Sequence, residues 1–123
     1  MEVRGVDFVM YPVSDLDRSI GFYRDTLGMN LEFRHGDMWV EFTATPTTLA
    51  LYKPESPEDA STSGGAAIAL AVGDVHSAIA ELEDKGILVA IKPFESPVCY
   101  FAVVKDPDGN SVILHQRKDG TVG

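Results

Sequence analysis

The chain contains itself twice. Val13-Ser14-Asp15-Leu16 returns as Val72-Gly73-Asp74-Val75, Ile20 returns as Ile79, and Gly28 returns as Gly86 once one residue is skipped. Around each copy the apolar pattern runs in the same order: one extended stretch, one segment of helical period, then three short extended stretches. A unit of strand, helix and three strands cannot cover its own apolar sheet face. Pairing two such units is the cheapest way to bury it, so the repeat predicts an α+β fold of two βαβββ modules.

The local chemistry agrees. Val6 to Val13 is rich in β-branched and aromatic residues, with Pro12 suited to a strand edge or exit. Ser14 or Asp15 can cap a helix, Asp17 puts negative charge in its first turn, and Leu16, Ile20, Tyr23 and Leu27 follow at helical spacing. Gly28 supplies a left-handed stop, which predicts a helix over 15–27. Strands are expected at Leu31 to Arg34, Met38 to Thr43 and Thr48 to Tyr52, joined by turns at His35-Gly36-Asp37 and Ala44-Thr45-Pro46-Thr47. Lys53 to Gly65 is polar and rich in Pro, Ser, Thr and Gly, with nothing to bury, and reads as the linker. The second copy has a strand at Ala66 to Val72, a helix capped by Asp74 with Val75, Ile79 and Leu82 on one face, and strands at Leu88 to Lys92, Val98 to Val104 and Ser111 to His115. Module one is thus expected over about 1–53, the linker over 54–65, module two over about 66–118 and a tail over 119–123, all within one domain.

Composition narrows the partners. With 19 acidic against 10 basic residues the net charge is −9, a sign that repels phosphate backbones and anionic membranes, so neither nucleic acid nor membrane is an expected partner. The 45% of hydrophobic residues is enough for a core, yet no apolar run approaches the ~18 residues of a membrane span. Met1-Glu2-Val3-Arg4 lacks the layout of a secretory signal, and a cytoplasmic protein is expected. Cys99 is the only cysteine, which rules out an internal disulfide and a multi-cysteine zinc site.

The phrase Val13-Ser14-Asp15-Leu16-Asp17-Arg18-Ser19-Ile20-Gly21-Phe22-Tyr23-Arg24-Asp25-Thr26-Leu27-Gly28 resembles the first helix signature of the vicinal-oxygen-chelate superfamily, which holds glyoxalases, bleomycin-resistance proteins and extradiol dioxygenases. Val72-Gly73-Asp74-Val75 and the hairpin Asp106-Pro107-Asp108-Gly109-Asn110 resemble the same family, so the likeness spans nearly the whole chain. The hairpin also has its own physical reading, since Pro107 presets φ, Asp108 can bond its own backbone and Gly109 takes positive φ.

Metal-dependent members of this family hold a divalent ion with side chains from the first and last strands of each half. The resemblance puts the histidine positions at Phe8 and Ala67, and the glutamate positions at Ile113 and Ala50. Hydrocarbon side chains offer no donor to a divalent ion, so no metal and no cofactor are expected. What the resemblance leaves is the fold it implies, a curved mixed sheet around a cup with the helices on the outside. Strand alternation puts Phe8 with Met10, Ala67 with Ala69 and Ala71, Ala50 with Thr48 and Tyr52, and Ile113 with His115. By resemblance that face points inward, lining a pocket for a flat or greasy ligand; the alternative is that these side chains fill the interior themselves. Trp39 and Glu41 share a face of their strand, and an aromatic ring beside a carboxylate suits a cation, although the sequence does not say which way that face points.

The expected function is therefore a metal-free small-molecule binding protein holding an aromatic or cationic ligand, with Phe8, Met10, Trp39, Glu41, Ala50, Tyr52, Ala67, Ala69, Ile113 and His115 as binding residues. The alternative is a lyase, isomerase or dioxygenase of the same superfamily working through a rebuilt site of Glu41, Cys99 and His115; the sequence leaves open whether the protein is an enzyme, with the balance against. Family members commonly pair across two chains, which makes a homodimer the expected assembly. His35 and His76 read as solvated surface, and no nucleophile elbow, phosphate-cradling loop or zincin helix is present.

Overall fold

The computed structural model describes Glu2, Arg4, residues 8–56 and residues 66–122. The chain divides into two compact units, Met1–Thr62 and Ser63–Gly123. Unit one runs β1 (Val9–Pro12), α1 (Leu16–Ile20), a π-helical segment (Gly21–Thr26), β2 (Asn30–His35), β3 (Trp39–Ala44) and β4 (Thr47–Tyr52). Its sheet has the order β1-β4-β3-β2, with β1 parallel to β4 and the other neighbours antiparallel. Unit two repeats this with β5 (Ile68–Ala71), α2 (Val75–Asp84), β6 (Val89–Glu95), β7 (Cys99–Lys105) and β8 (Ser111–Arg117), in the order β5-β8-β7-β6 with β5 parallel to β8. The α+β architecture of two βαβββ modules follows the repeat in the sequence.

In each unit one sheet face packs on the helix. Tyr11, Val40, Phe42, Leu49 and Leu51 are buried in unit one beside Leu16, Ile20 and Tyr23 from the helical side, and the Tyr23 ring lies 5.6 Å from that of Phe42. Unit two buries Ile68, Ala102, Val104, Val112 and Leu114 with Val75, Ile79 and Leu82 of α2. Both helices start on an aspartate. Asp15 accepts from the Arg18 amide at 3.0 Å and Asp74 from the Ser77 amide at 2.9 Å, each satisfying an N–H that the first turn leaves free. Gln116 of β8 adds a second cap to α2, its Oε1 accepting from the Val75 amide at 2.9 Å. Gly28 and Gly86 take the expected left-handed φ, 77° and 76°.

Three expectations need correction. The helix over 15–27 is α-helical only to Ile20 and then widens into a π-turn, where the Leu27 amide reaches back five residues to the Phe22 carbonyl at 2.9 Å. The wider turn serves two adjacent aromatics, Phe22 and Tyr23, which are both buried and which an ordinary α-turn would splay further apart. His35 belongs to β2, opposite Trp39, and the turn is Gly36 to Met38 with Gly36 at φ 54°. The linker does not begin free at Lys53: its amide bonds the Met38 carbonyl at 2.9 Å, its ammonium meets Asp37 at 2.6 Å, and Pro54 is buried. The rest of the expected linker, from residue 57 to 65, lies outside the described residues. Among the described residues no helix is long and apolar enough to cross a membrane.

The hairpin between β7 and β8 is organised by Asp106, which is buried. Its Oδ1 accepts from the amides of Asp108 at 2.9 Å and Asn110 at 2.7 Å, and its Oδ2 accepts from Asn110 Nδ2 at 2.7 Å. Gly109 takes φ 86°, as the tight turn requires.

Candidate functional site

With one sheet face of each unit spent on its helix, the chemistry lies on the other. On the helix-free face of unit one, register places Met10, Ala50, Glu41 and Phe33 in one row across the sheet, and Pro12, Tyr52, Trp39 and His35 in the next. Trp39 and Glu41, whose direction the sequence leaves open, therefore share a face with the other residues singled out on β1 and β4. Trp39 Nε1 donates to Glu41 Oε2 at 2.9 Å. The Phe8 ring stands edge-on to that of Trp39, 5.7 Å away at 88°. Phe8, Met10 and Phe33 are about half exposed, at 51%, 46% and 51%.

On the helix-free face of unit two, Ala69 lies beside Ile113 and Ala71 beside His115, with Val103 opposite Ile113, and Phe101 opposite His115 on the far side. Ala67 precedes β5 by one residue and is half-buried. The Phe101 ring meets Phe94 of β6 at 5.2 Å. Cys99 is on this face too, directly opposite Arg117 and thus one diagonal step from His115. Its sulfur is engaged elsewhere: Cys99 Sγ lies 3.1 Å from Ser96 Oγ, which also accepts from the amides of Val98 and Cys99 at 3.2 Å and 3.0 Å. Glu41 belongs to unit one and Cys99 with His115 to unit two. Among the described residues no group of three or more His, Cys, Asp or Glu side chains is placed to hold a metal ion.

Residues that sequence reasoning missed on these faces are Phe33 and His35 in unit one and Ile91, Phe94, Phe101 and Val103 in unit two. A β-bulge hides the first and the third: between Leu31 and Phe33, and again between Val89 and Ile91, the pairing slips by one residue. Leu31 and Val89 accordingly face partners on the helix side, Phe42 and Val104, whereas Phe33 and Ile91 face Glu41 and Val103. A strict period of two assigns both members of each pair to one face. His76 is exposed as expected but packs its ring against Tyr100, 5.7 Å away.

Ionic contacts border the faces rather than occupy them. Arg34, on the helix side of β2, ties the sheet to the first turn of α1 through Asp17 at 2.7 Å. The hydrogen bond from Lys53 holds the Asp37 carboxyl below its ordinary value. The hydrogen bond to Glu95 raises Lys118, whose ammonium also lies 5.1 Å from the centre of the Tyr100 ring.

Two copies of a strand-helix-three-strand module, each with a parallel closing pair and a helix-free face carrying aromatic and small apolar residues, define a class of α+β protein built by duplication. Residues 5–114 match the family model described as Glyoxalase/Bleomycin resistance protein/Dioxygenase superfamily, and the chain belongs to that superfamily. It is 32% identical over 119 residues to a Synechocystis sp. protein named "Probable lactoylglutathione lyase", covering 87% of this chain and 91% of the relative. Among solved structures it is similar to TnmS3, an antibiotic binding protein from a Streptomyces species, with a TM-score of 0.76 and 28% identity over 96% of this chain and 99% of that one. A superfamily member from Sphaerobacter thermophilus gives a TM-score of 0.75 and 28% identity over 93% of this chain and 98% of that one.

Proposed function

We propose that the chain is a metal-independent receptor for a small aromatic or cationic molecule, its two units counted as one domain and its expected state a homodimer in the cytoplasm. The observation that carries this reading is the helix-free face of unit one, where Trp39 holds the carboxylate of Glu41 among Phe8, Met10, Ala50 and Tyr52. Apolar walls with one placed polar group are what small-molecule sites are made of. Ala67, Ala69, Ile113 and His115 of unit two are assigned to ligand binding as well, because the alanines leave volume and His115 offers a hydrogen bond. The 28% identity to an antibiotic binding protein supports a small molecule as the ligand.

The metal that the family implies does not fit these residues. The side chains of Phe8, Ala50, Ala67 and Ile113 carry no oxygen, imidazole or thiolate donor for a divalent ion. The name of the Synechocystis relative favours a second reading, a lyase, isomerase or dioxygenase using Glu41, Cys99 and His115. The contact between Cys99 and Ser96 weighs against it, because it commits the thiol to a turn.

Elemental analysis of untagged protein and a thermal melt with EDTA separate the two. The receptor reading expects no stoichiometric metal, an unchanged Tm with chelator, and a Tm raised by some member of an aromatic and cationic ligand panel. Stoichiometric metal together with a Tm lowered by EDTA refutes it, and turnover in a lactoylglutathione lyase assay establishes the second.

A further inference from the structure

Resting on the receptor reading, the surroundings of Glu41 narrow its ligand. Glu41 is half-buried, and among the described residues its one polar contact is Trp39 Nε1, with no lysine, arginine or histidine paired to it. Its neighbours across the sheet are Ala50 on β4 and Phe33 on β2. Trp39 is flanked by Tyr52 directly opposite on β4 and by Phe8, whose ring meets it at 88°, so two aromatic walls stand at a right angle beside the carboxylate.

We infer that this corner takes an alkylated ammonium, tertiary or quaternary, and discriminates against a primary amine. The reason is the supply of acceptors. A primary ammonium is compact, strongly hydrated and carries three N–H groups, each of which costs free energy if stripped of water and left unmatched. One Glu41 oxygen already accepts from Trp39, and alanine and phenylalanine side chains offer no acceptor. A trimethylammonium group has no N–H to satisfy, and its charge is spread over methyl groups that fit against ring faces beside a carboxylate.

Trp39 is the single tryptophan, so its fluorescence reports on this corner alone. The full chain is titrated with phenyltrimethylammonium, its neutral isostere tert-butylbenzene, and benzylamine. The expected result is quenching by phenyltrimethylammonium with at least tenfold tighter binding than either competitor. Glu41→Gln, which keeps an oxygen for Trp39 Nε1, removes that preference while retaining the melting temperature and the affinity for tert-butylbenzene. Equal affinity for the cation and its neutral isostere, or a preference for benzylamine, overturns the inference and leaves the receptor reading standing. Binding of none of the three overturns both for this face.

Discussion

Replacing Asp106 by alanine tests how far one buried carboxylate holds the β7–β8 hairpin. Asp106 is 5% exposed and Asn110 is 4% exposed, so neither group trades its partner for water without cost. The substitution removes, among others, the hydrogen bonds that this charged acceptor takes from the amides of Asp108 and Asn110 and from Asn110 Nδ2. Bonds of this kind contribute roughly 1.5–3 kcal/mol each, but the desolvation of the carboxylate is recovered and the half-exposed turn at Asp108 can reach water. A net loss of about 3 kcal/mol is expected. Two backbone bonds survive, Asp106 N to the Asn110 carbonyl at 2.9 Å and Gly109 N to the Asp106 carbonyl at 3.0 Å, so the turn loosens without opening. With an unfolding entropy of roughly 2.1 cal/mol/K per residue, this corresponds to a Tm lower by about 12 °C for one cooperative transition of the whole chain. Urea denaturation of Asp106→Ala, Asn110→Ala and the double variant measures it. The double variant should cost less than the singles combined, with a coupling of about 1 kcal/mol or more, because both delete the contact between Asn110 Nδ2 and Asp106 Oδ2. A loss below about 1 kcal/mol for Asp106→Ala, or strict additivity, refutes the assignment of the turn to this carboxylate.

Gly86→Ala should cost about 1–2 kcal/mol in urea denaturation, entirely through the backbone: φ is 76° and an added Cβ would meet nothing within 4 Å. Gly73→Ala, equally open but without positive φ, is the control and should be neutral or mildly stabilising. The Asp74 carboxyl is lowered from its ordinary 3.8, chiefly by the hydrogen bond from the Ser77 amide, so its contribution to α2 is present above that value and lost as pH falls through the folded one. Hydrogen exchange at the Ser77 amide should therefore lose protection below pH 3.8 in the wild type, and Asp74→Asn should flatten that dependence.

What could be read from the sequence was whatever depends on short range. Each helix start is written in one residue, Asp15 or Asp74, and each stop in one glycine, because capping and left-handed φ are local demands. The central strand β4 was legible as well. β4 lies between two neighbours, so its alternation is enforced from both sides, and with Thr48, Ala50 and Tyr52 given to the cup face by the family resemblance, Leu49 and Leu51 fall on the helix face, where they are buried. The direction of Trp39 and Glu41 was not legible because alternation gives two faces and no sign. The sign comes from Phe42, which is buried with its ring beside that of Tyr23, so the helix lies on the side of Phe42 and of its same-face neighbour Val40.

The edge strands β2 and β6 failed for a different reason, and the failure bears on the site. Both carry a one-residue slip at the same place in the repeat, after Leu31 in unit one and after Val89 in unit two. A bulge has no obligatory residue, so hydropathy reads straight through it. Its effect is to turn an aromatic or aliphatic side chain, Phe33 or Ile91, from the helix face to the free one. Without the slip, the pairing of Leu31 with Phe42 would continue as Glu32 opposite Glu41 and Phe33 opposite Val40, so Phe33 would join the core and a second carboxylate would face Glu41. Like charges directly opposite each other on a sheet repel. The bulge in β2 thus sets an aromatic ring, in place of a like charge, beside Glu41 on the free face.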